Sequence, residues 1–332
     1  MSASDVKVSR IAFGFATFHG MELHDQHGRY IHKLRVQLTD ACNLRCFYCM
    51  PEDMRFMPPR DLLSVTEMVS MVGALHEMGV DELRVTGGEP TLRPEFDAIM
   101  KGIAQYSWKQ LGLTTNGILL KGKLPLLKDL GVKALNISLD SLDEARFNEI
   151  TRRKHFQLVL SSILAAKAAG FSVKVNCIVF RGMNDHEIPD FIRFSENNQI
   201  EVRFLELMKV GPGYWNHPER FVSAQEMMDT IRLKEELISV AVAKDSTSFV
   251  FTTHKGARIG FIASESQPFC GQCSRLRLSA NGVLRACLFS EQGENLRGMD
   301  PLDYPEILAR VMNLKPISRI HHIHQPMNQI GG

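Results

Sequence analysis

Six short runs of β-branched and other apolar residues recur along the chain, each separated from the next by a segment with helical periodicity. The runs cover residues 33–39, 82–86, 110–115, 132–139, 172–180 and 201–207. Between the first two runs, apolar residues fall on one face of a helix, at Val65, Met68, Val69, Val72, Leu75 and Met78. Strand–helix alternation of this kind predicts a parallel sheet covered by crossover helices.

Polar residues follow every predicted strand, in the segments TDACN, TGGEP, TTNG, SLD, VNC and ELMK. In barrels of β/α units, ligands bind at the carboxyl ends of the strands. One polar strand end is more often a turn or a helix cap, but six together favour a binding face. The α/β pattern therefore predicts a partial, six-unit TIM-like barrel that is open on one side.

The pattern changes beyond residue 235. The runs ISVAVAK, SFVFTTH and ARIGFIAS are typical of short antiparallel strands, and a cysteine-bearing segment (268–290) and a helix follow them. We therefore expect three parts: a poorly ordered tail over 1–21, the partial barrel over 22–235, and a β-rich extension over 236–332 that lies across the open side of the barrel.

Composition excludes several classes of function. The 332 residues carry 39 Lys and Arg against 37 Asp and Glu, so no global positive field attracts nucleic acid or a membrane surface. No segment approaches the roughly 20 apolar residues of a membrane span, and the start lacks a secretory signal. We expect a cytoplasmic protein, in which the seven cysteines stay reduced and favour metal ligation or redox chemistry.

Cys42, Cys46 and Cys49 form a C-x3-C-x2-C run that we call the first cysteine set. Each iron of a four-iron cubane takes a ligand, so three cysteines leave the fourth iron open to a small molecule. An open position of this kind is typical of catalytic rather than structural metal sites. The alternative is a zinc site completed by a distant histidine or by Cys177, although Cys177 is better interpreted as a core thiol.

The segment TGGEP ends the second predicted strand. Gly87 and Gly88 let the backbone approach a ligand closely, and Glu89 offers a carboxylate to an ammonium group. Taken alone, the segment could equally be an ordinary turn.

Cys270, Cys273 and Cys287 form a second cysteine set with C-x2-C-x13-C spacing. A second cubane with an open iron fits the symmetry with the first set. The alternative is a zinc ribbon completed by one of three histidines near the end of the chain, His321, His322 and His324.

Arg275 and Arg277 lie two residues apart in a predicted strand, so both side chains point to one face. Neighbouring guanidinium groups repel unless an anion bridges them, and phosphate suits their planar forks. The alternative is an edge strand whose arginines meet solvent or carboxylates. Beside a cysteine set with an open iron, an anionic substrate is the favoured interpretation.

Together these motifs resemble the radical S-adenosylmethionine (SAM) enzymes, and among them the GTP 3′,8-cyclases of molybdenum cofactor biosynthesis. The resemblance covers about residues 22 to 332 and is carried by GRYIHKLRVQLTDACNLRCFYCMPE, LRVTGGEPTLR, LTTNG, LNISLDSL, VKVNCIV, EVRFLELM, FCGQCSRLRLS and the final IGG. Gln37 and Ala41 stand where the family more often has serine and arginine, and neither is a ligand position.

The resemblance implies a lyase that converts GTP to (8S)-3′,8-cyclo-7,8-dihydroguanosine 5′-triphosphate, the first step of that pathway. A 5′-deoxyadenosyl radical derived from SAM would abstract the ribose 3′ hydrogen, and the resulting carbon radical would attack C8 of the base. Two [4Fe-4S] clusters are implied: the first cysteine set binds the SAM cluster, and the second set binds the cluster that holds the guanine base.

The resemblance also assigns roles to individual residues. SAM contacts are expected from Tyr48, Gly88, Ser138 and Met208. GTP contacts are expected from Arg35, Arg84, Thr114, Lys174, Arg203, Arg275 and Arg277. A catalytic role is expected for Arg275, Arg277, Gly331 and Gly332. The two terminal glycines would reach the active site through a narrow opening, although glycines at a chain end are usually just disordered.

The expected partners are GTP, a flavodoxin- or ferredoxin-like electron donor and the next enzyme of the pathway; a homodimer is compatible, and no nucleic acid or membrane is expected. Two alternatives stay open: a radical SAM enzyme with an auxiliary cluster that modifies a peptide or protein, and a non-catalytic zinc-stabilised binding module. A peptide substrate gives no reason for Arg275 and Arg277 to converge with Arg35 and Arg84.

Overall fold

The computed structural model describes residues 22–319 and 325–330. The strands are β1 (Lys33–Gln37), β2 (Glu82–Thr86), β3 (Gln110–Thr115), β4 (Ala134–Ser138), β5 (Ser172–Ile178), β6 (Glu201–Leu205), β7 (Ile238–Val240), β8 (Phe249–Thr252), β9 (Arg258–Ile262), β10 (Arg275–Leu278), β11 (Val283–Arg285) and β12 (Glu294–Asn295). They form one sheet in the order β12-β11-β10-β1-β2-β3-β4-β5-β6-β9-β8-β7.

The helices are α1 (Val65–Glu77), α2 (Phe96–Ile103), α3 (Leu120–Asp129), α4 (Glu144–Thr151), α5 (Phe156–Ala168), α6 (Ile188–Asn198), α7 (Gly211–Asn216), α8 (Ala224–Arg232), α9 (Tyr304–Asn313) and α10 (Met327–Ile330). Two of them, α1 and α8, begin at capping boxes. In these boxes Ser64 and Glu67, and likewise Ser223 and Glu226, satisfy each other's backbone N–H groups. Within the described part of the chain, no helix is both long and apolar enough to cross a bilayer.

Eight neighbouring strands run parallel and form the wall of a partial barrel. Strands β1 to β6 lie side by side in chain order, and helices make the connections between them. Strand β9 adds to β6 and strand β10 adds to β1, both in parallel. Among the described residues, no pairing joins β7 to β12 to close the sheet. The fold is the predicted partial TIM-like barrel, extended by two further parallel strands.

The region after residue 235 contains the predicted β-rich extension. Its antiparallel strands are present, since β7 pairs with β8 and β8 with β9. However, β9 and β10 extend opposite edges of the barrel sheet itself. An open parallel sheet leaves unpaired backbone groups at both edges, and these strands satisfy them. The C-terminal region therefore lengthens the barrel wall at both of its edges.

Side chains on the parallel strands alternate between an apolar outer face and a polar inner face. On β1, Leu34 and Val36 are buried in the core between sheet and helices, while Lys33 and Arg35 line the barrel interior. Parallel strands covered on both faces are ordinarily apolar throughout. The polar inner face therefore marks an interior that binds a ligand rather than one filled by packed side chains.

Several predicted features lie outside the described residues. They are the tail over 1–21, the candidate zinc ligands His321, His322 and His324, and the terminal Gly331 and Gly332. By contrast, Cys177 is described. It is buried in the core, as predicted.

Candidate active site

Three adjoining cavities run through the barrel interior. The upper cavity is lined by the first cysteine set, the central cavity by the second set, and the lower cavity by residues near the amino ends of the strands. Thr114, Asn176 and Met208 line both the upper and the central cavity. Arg35 and Arg203 line both the central and the lower cavity. The three cavities therefore adjoin one another, and we refer to them together as the channel.

The first cysteine set lies in the loop that follows β1. Backbone hydrogen bonds tie this loop to the end of α4, from Arg45 N to the Thr151 carbonyl (3.0 Å) and from Phe47 N to the Ile150 carbonyl (3.1 Å). The loop is thereby held over the carboxyl ends of the strands, where ligands bind in β/α barrels.

The two glycines of TGGEP also serve a contact that the sequence did not predict. Gly88 N donates to the Thr39 carbonyl (2.6 Å), and Glu89 N donates to the Ala41 carbonyl (2.7 Å). A Cβ on Gly88 would lie 2.3 Å from the Asp40 carbonyl oxygen. The absence of a side chain therefore lets the end of β2 pack against the cysteine loop. Gly88 also lines the upper cavity.

The Glu89 carboxylate, which the sequence suggested as a partner for an ammonium group, is not among the residues that line the upper cavity. It is fully buried and accepts hydrogen bonds from Thr91 N (3.0 Å), Thr91 Oγ1 (2.5 Å), Thr115 Oγ1 (2.8 Å) and Asn116 N (2.6 Å). Burial raises the pKa of Glu89, although these hydrogen bonds oppose the shift. Glu89 instead joins the ends of β2 and β3 and orients Asn116, whose side-chain N–H points to Cys42 Sγ (3.8 Å).

The four residues expected to contact SAM all line the upper cavity: Tyr48, Gly88, Ser138 and Met208. The Tyr48 hydroxyl donates to the Asp140 carboxylate (2.8 Å), which also accepts from Ile178 N (2.9 Å). Burial raises the pKa of Asp140 to about 6. These contacts fix the Tyr48 ring beside the first cysteine set.

Both cysteine sets place sulfurs where N–H groups can stabilise thiolates. Cys42 Sγ accepts from Leu44 N and Cys287 Sγ accepts from Phe289 N, each at 3.4 Å and each from the residue two positions along the chain. Arg275 Nη1 lies 3.5 Å from Cys273 Sγ. Such N–H···S contacts are typical of cysteines that ligate iron–sulfur clusters.

The two cysteine sets lie in opposite electrostatic surroundings. In the first set, burial raises the pKa of Cys42 to about 11 and that of Cys49 to about 12. In the second set, burial also acts on Cys273, but Lys315 and Arg275 outweigh it and hold the pKa at about 6. Burial also raises the pKa of Cys270, so within the second set it is Cys273 whose negative charge the neighbouring cations stabilise.

The residues expected to contact GTP all line the central or the lower cavity: Arg35, Arg84, Thr114, Lys174, Arg203, Arg275 and Arg277. Arg277, Arg35 and Arg84 lie at one level on the neighbouring strands β10, β1 and β2. Burial lowers the pKa of Arg84 and of Arg277 to about 10. Buried guanidinium groups this close together form a strong binding site for an anion.

Two inner-face glycines make room for these arginines. A Cβ on Gly112 would lie 3.0 Å from the Arg84 guanidinium, and a Cβ on Gly260 would lie 3.0 Å from Arg203 Cγ. Contacts this short mean that a Cβ at either position would require the arginine to shift. Gly112 and Gly260 therefore shape the cationic part of the channel.

Glu201 is shared by three cations of the lower cavity. Its carboxylate lies 3.1 Å from Lys174 Nζ, 2.7 Å from Arg203 Nε and 2.8 Å from Arg258 Nε. Burial alone would raise its pKa, but Arg203 and Lys174 outweigh burial and lower it to about 2. One carboxylate cannot neutralise three cations, so the cavity keeps an excess of positive charge.

The residues present fit two iron–sulfur clusters better than single metal ions. All six cysteines of the two sets are free thiols. Within the described residues, no three ligand side chains surround a point where one ion could sit. The cysteines of a cubane each bind a different iron, whereas zinc ligands converge on one ion.

The channel also contains polar atoms that lack a partner. The side-chain oxygens of Asn136 and Asn176 are buried in its wall and accept no hydrogen bond. Buried polar groups normally make hydrogen bonds, so we expect a bound ligand to donate hydrogen bonds to these two oxygens. The alternation along β4 and β5 could have identified both residues, because they lie at inner-face positions next to Ser138 and Lys174.

The C-terminal helix α10 docks beside the first cysteine set. Met327 N donates to the Cys49 carbonyl (3.1 Å), and the Asn328 side chain donates to the Asp40 carbonyl (3.0 Å). Both residues line the upper cavity. No sequence pattern indicated Met327 or Asn328. The same is true of Lys315, which lies at the second cysteine set. The entry of Gly331 and Gly332 into the channel stays a prediction.

Comparison with known proteins gives consistent matches. Residues 36–195 match the Radical SAM superfamily, and residues 200–312 match Molybdenum Cofactor Synthesis C. The chain is 44% identical over 310 residues to a GTP 3′,8-cyclase of Synechocystis sp., covering 93% of this chain and 95% of that protein. It is 42% identical over 281 residues to Molybdenum cofactor biosynthesis protein 1 of Bos taurus, covering 83% of this chain but only 44% of that longer protein.

Likeness to a solved structure supports the fold but no further property. Streptococcus suis SuiB bound to S-adenosylmethionine aligns with a TM-score of 0.58 at 16% identity, over 83% of this chain and 65% of that one.

Proposed function

This chain belongs to the GTP 3′,8-cyclase family of radical SAM enzymes, and on that basis we propose that its channel binds GTP and cyclises it in molybdenum cofactor biosynthesis. The observation that carries the proposal is the order of the three adjoining cavities. The cavity lined by the first cysteine set adjoins the one lined by the second set, which in turn adjoins the one lined by a row of arginines. A substrate with a base, a sugar and a triphosphate matches this arrangement.

The upper cavity binds the radical source. Cys42, Cys46 and Cys49 hold one [4Fe-4S] cluster, and the four residues expected to contact SAM surround the position next to it. When bound, this cluster and SAM supply the radical that removes a hydrogen atom from the substrate. Phe147, Leu205 and other apolar side chains of the wall exclude water from that chemistry.

The central cavity binds the base. Cys270, Cys273 and Cys287 would hold the second [4Fe-4S] cluster, which would supply an open iron position to the guanine. Thr114 and Asn176 lie between this cavity and the upper one. They are therefore placed to orient the ribose between the two clusters.

The lower cavity binds the triphosphate. Arg35, Arg84, Arg203, Arg275 and Lys174 line it and supply charge-assisted donors to the phosphate oxygens. Arg277 lies two residues after Arg275 on β10 and lines the central cavity, where the base binds. Binding three phosphates relieves the repulsion among these cations. The same charge keeps the substrate from leaving before the reaction is complete.

Anaerobic reconstitution followed by incubation with GTP, SAM and a reductant tests the function. We expect about eight irons per chain, because two four-iron clusters are present. GTP should be consumed as 5′-deoxyadenosine forms. Cys270→Ala should lower the iron content to about four. Cys177→Ala, which changes a buried thiol outside the channel, is the matched control.

Two results would contradict the proposal. An iron content of about four that Cys270→Ala leaves unchanged would remove the second cluster. Formation of 5′-deoxyadenosine without loss of GTP would remove the substrate assignment. A flavodoxin- or ferredoxin-like donor and transfer of the product to the next enzyme complete the proposal, since the reaction needs an electron and yields an intermediate. The homodimer and the cytoplasmic location stay predictions.

A further inference from the structure

Lys315 is a buried lysine that the proposed reaction does not use. It follows α9, and its side chain is 1% exposed. Its ammonium group donates to the Arg275 carbonyl (2.5 Å), the Ala286 carbonyl (2.8 Å) and Cys273 Sγ (3.4 Å). An ammonium has three N–H donors, so these contacts use all of them. Burying a lysine is unfavourable unless its charge is compensated, which indicates a specific role.

The three acceptors share one property: they belong to the segments that carry the second cysteine set. Cys273 is a member of the set, Arg275 lies two residues after it, and Ala286 immediately precedes Cys287. A single side chain therefore fixes the separation of two cysteines that are distant in sequence. It also fixes the backbone of Arg275, a residue that lines the substrate channel.

The backbone around Lys315 is anchored to the third cysteine. Arg29 donates to the Lys315 carbonyl (3.1 Å), the Pro316 carbonyl (2.8 Å) and the Cys270 carbonyl (2.6 Å). Arg29 is in turn held by an ion pair with Asp25 (2.6 Å). Lys315 is thus built into a rigid frame around all three cysteines.

We propose that Lys315 is a positioning residue for the second cluster, which orients its cysteine ligands and raises its reduction potential. Hydrogen bonds to ligand sulfurs and a nearby positive charge both stabilise the reduced, more negative form of an iron–sulfur cluster. At the first set, by contrast, the Asn116 amide that lies 3.8 Å from Cys42 Sγ is neutral. The inference rests on the proposed function, since it requires a cluster at the second set.

The test compares wild-type holoenzyme with Lys315→Met, which has similar length but neither charge nor donors. Lys128→Met is the control, because Lys128 is exposed and also donates to a backbone carbonyl, that of Ala169 (3.1 Å). The measurements are iron per chain and a potentiometric titration of both clusters followed by electron paramagnetic resonance. We expect the second cluster of Lys315→Met to titrate at a more negative potential, or its four irons to be lost selectively. The first cluster should be unchanged.

Lys315→Gln, which is neutral but keeps N–H donors, is measured in the same way in case Lys315→Met does not fold. Its second cluster should also titrate at a more negative potential than that of the wild type. If Lys315→Met or Lys315→Gln folds, keeps its full iron content and shows wild-type potentials, the inference about Lys315 is wrong. The assignment of the second cluster would not be affected by that result. Wild-type protein that holds only about four irons would overturn the cluster assignment, and with it this inference.

Discussion

Arg35 and Arg277 lie side by side at the same level of two neighbouring parallel strands, β1 and β10, and both line the central cavity. Burial, followed by the repulsion from Arg277, lowers the pKa of Arg35 well below its usual range. The nucleotide-free protein therefore retains an unfavourable concentration of positive charge. Sites that bind charged ligands often reduce stability in this way, because the charge is neutralised only when the ligand arrives.

Arg35→Met should raise the melting temperature of the nucleotide-free protein and weaken GTP binding. One charge-assisted hydrogen bond contributes about 1.5–3 kcal/mol, so the dissociation constant should rise roughly 10- to 100-fold. Calorimetric titration and thermal unfolding measure the two effects. Arg232→Met, at an exposed position of α8, should change neither. Unaltered GTP affinity in Arg35→Met would argue against a role for Arg35 in triphosphate binding.

Gly112→Ala should weaken GTP binding without loss of iron, because the new Cβ would displace the Arg84 guanidinium. Gly122→Ala is the matched control, since a Cβ there meets no atom within 4 Å. In helix α3 that change should raise the free energy of unfolding by about 0.5–1 kcal/mol. GTP titration of both variants checks the expectation, and equal affinities would show that Arg84 does not bind the substrate.

Asn328→Ala should loosen the docking of α10 on the cysteine loop. The lost hydrogen bond to the Asp40 carbonyl contributes about 0.5–1.5 kcal/mol, so the Met327 amide should exchange up to about tenfold faster. Hydrogen exchange by mass spectrometry measures this. Asn198→Ala, which removes a similar bond to the Phe194 carbonyl on α6, should leave the exchange of residues 325–330 unchanged. Unaltered exchange in Asn328→Ala would mean that other contacts hold the segment.

Glu201 should make the stability of the iron-free protein depend on acid pH. Its pKa is about 2 in the folded protein and 4.5 ordinarily. Its contribution to the free energy of unfolding is therefore fully present above about pH 4.5 and is lost as the pH falls toward 2. Glu201→Gln should be less stable at pH 7 and show a shallower fall between pH 5 and 3.

Denaturant titrations at several pH values measure that slope. Glu149→Gln, at an exposed position of α4, is the control for the loss of one carboxyl group. Parallel slopes for wild type and Glu201→Gln would contradict the assignment of Glu201 as the partner of Lys174, Arg203 and Arg258.

Local features of the sequence determined much of this protein. Strand–helix alternation predicted the partial barrel, because the periodicities of strands and helices are local properties. Side-chain direction alternates along a strand with a period of two residues, which also predicted that Arg275 and Arg277 lie on one face of the sheet. The spacing within each cysteine set predicts where the clusters bind, because its members lie close together along the chain.

Only the tertiary structure decided which segments meet. That β9 and β10 extend opposite edges of one sheet depends on which strands leave unpaired edges, and no single segment encodes this. Glu89 faces Thr91, Thr115 and Asn116 rather than the cavity because the end of β2 packs against the cysteine loop. Lys315 and Asn328 reach the two cysteine sets through long-range contacts, which the packing of the whole chain determines and no local pattern can predict.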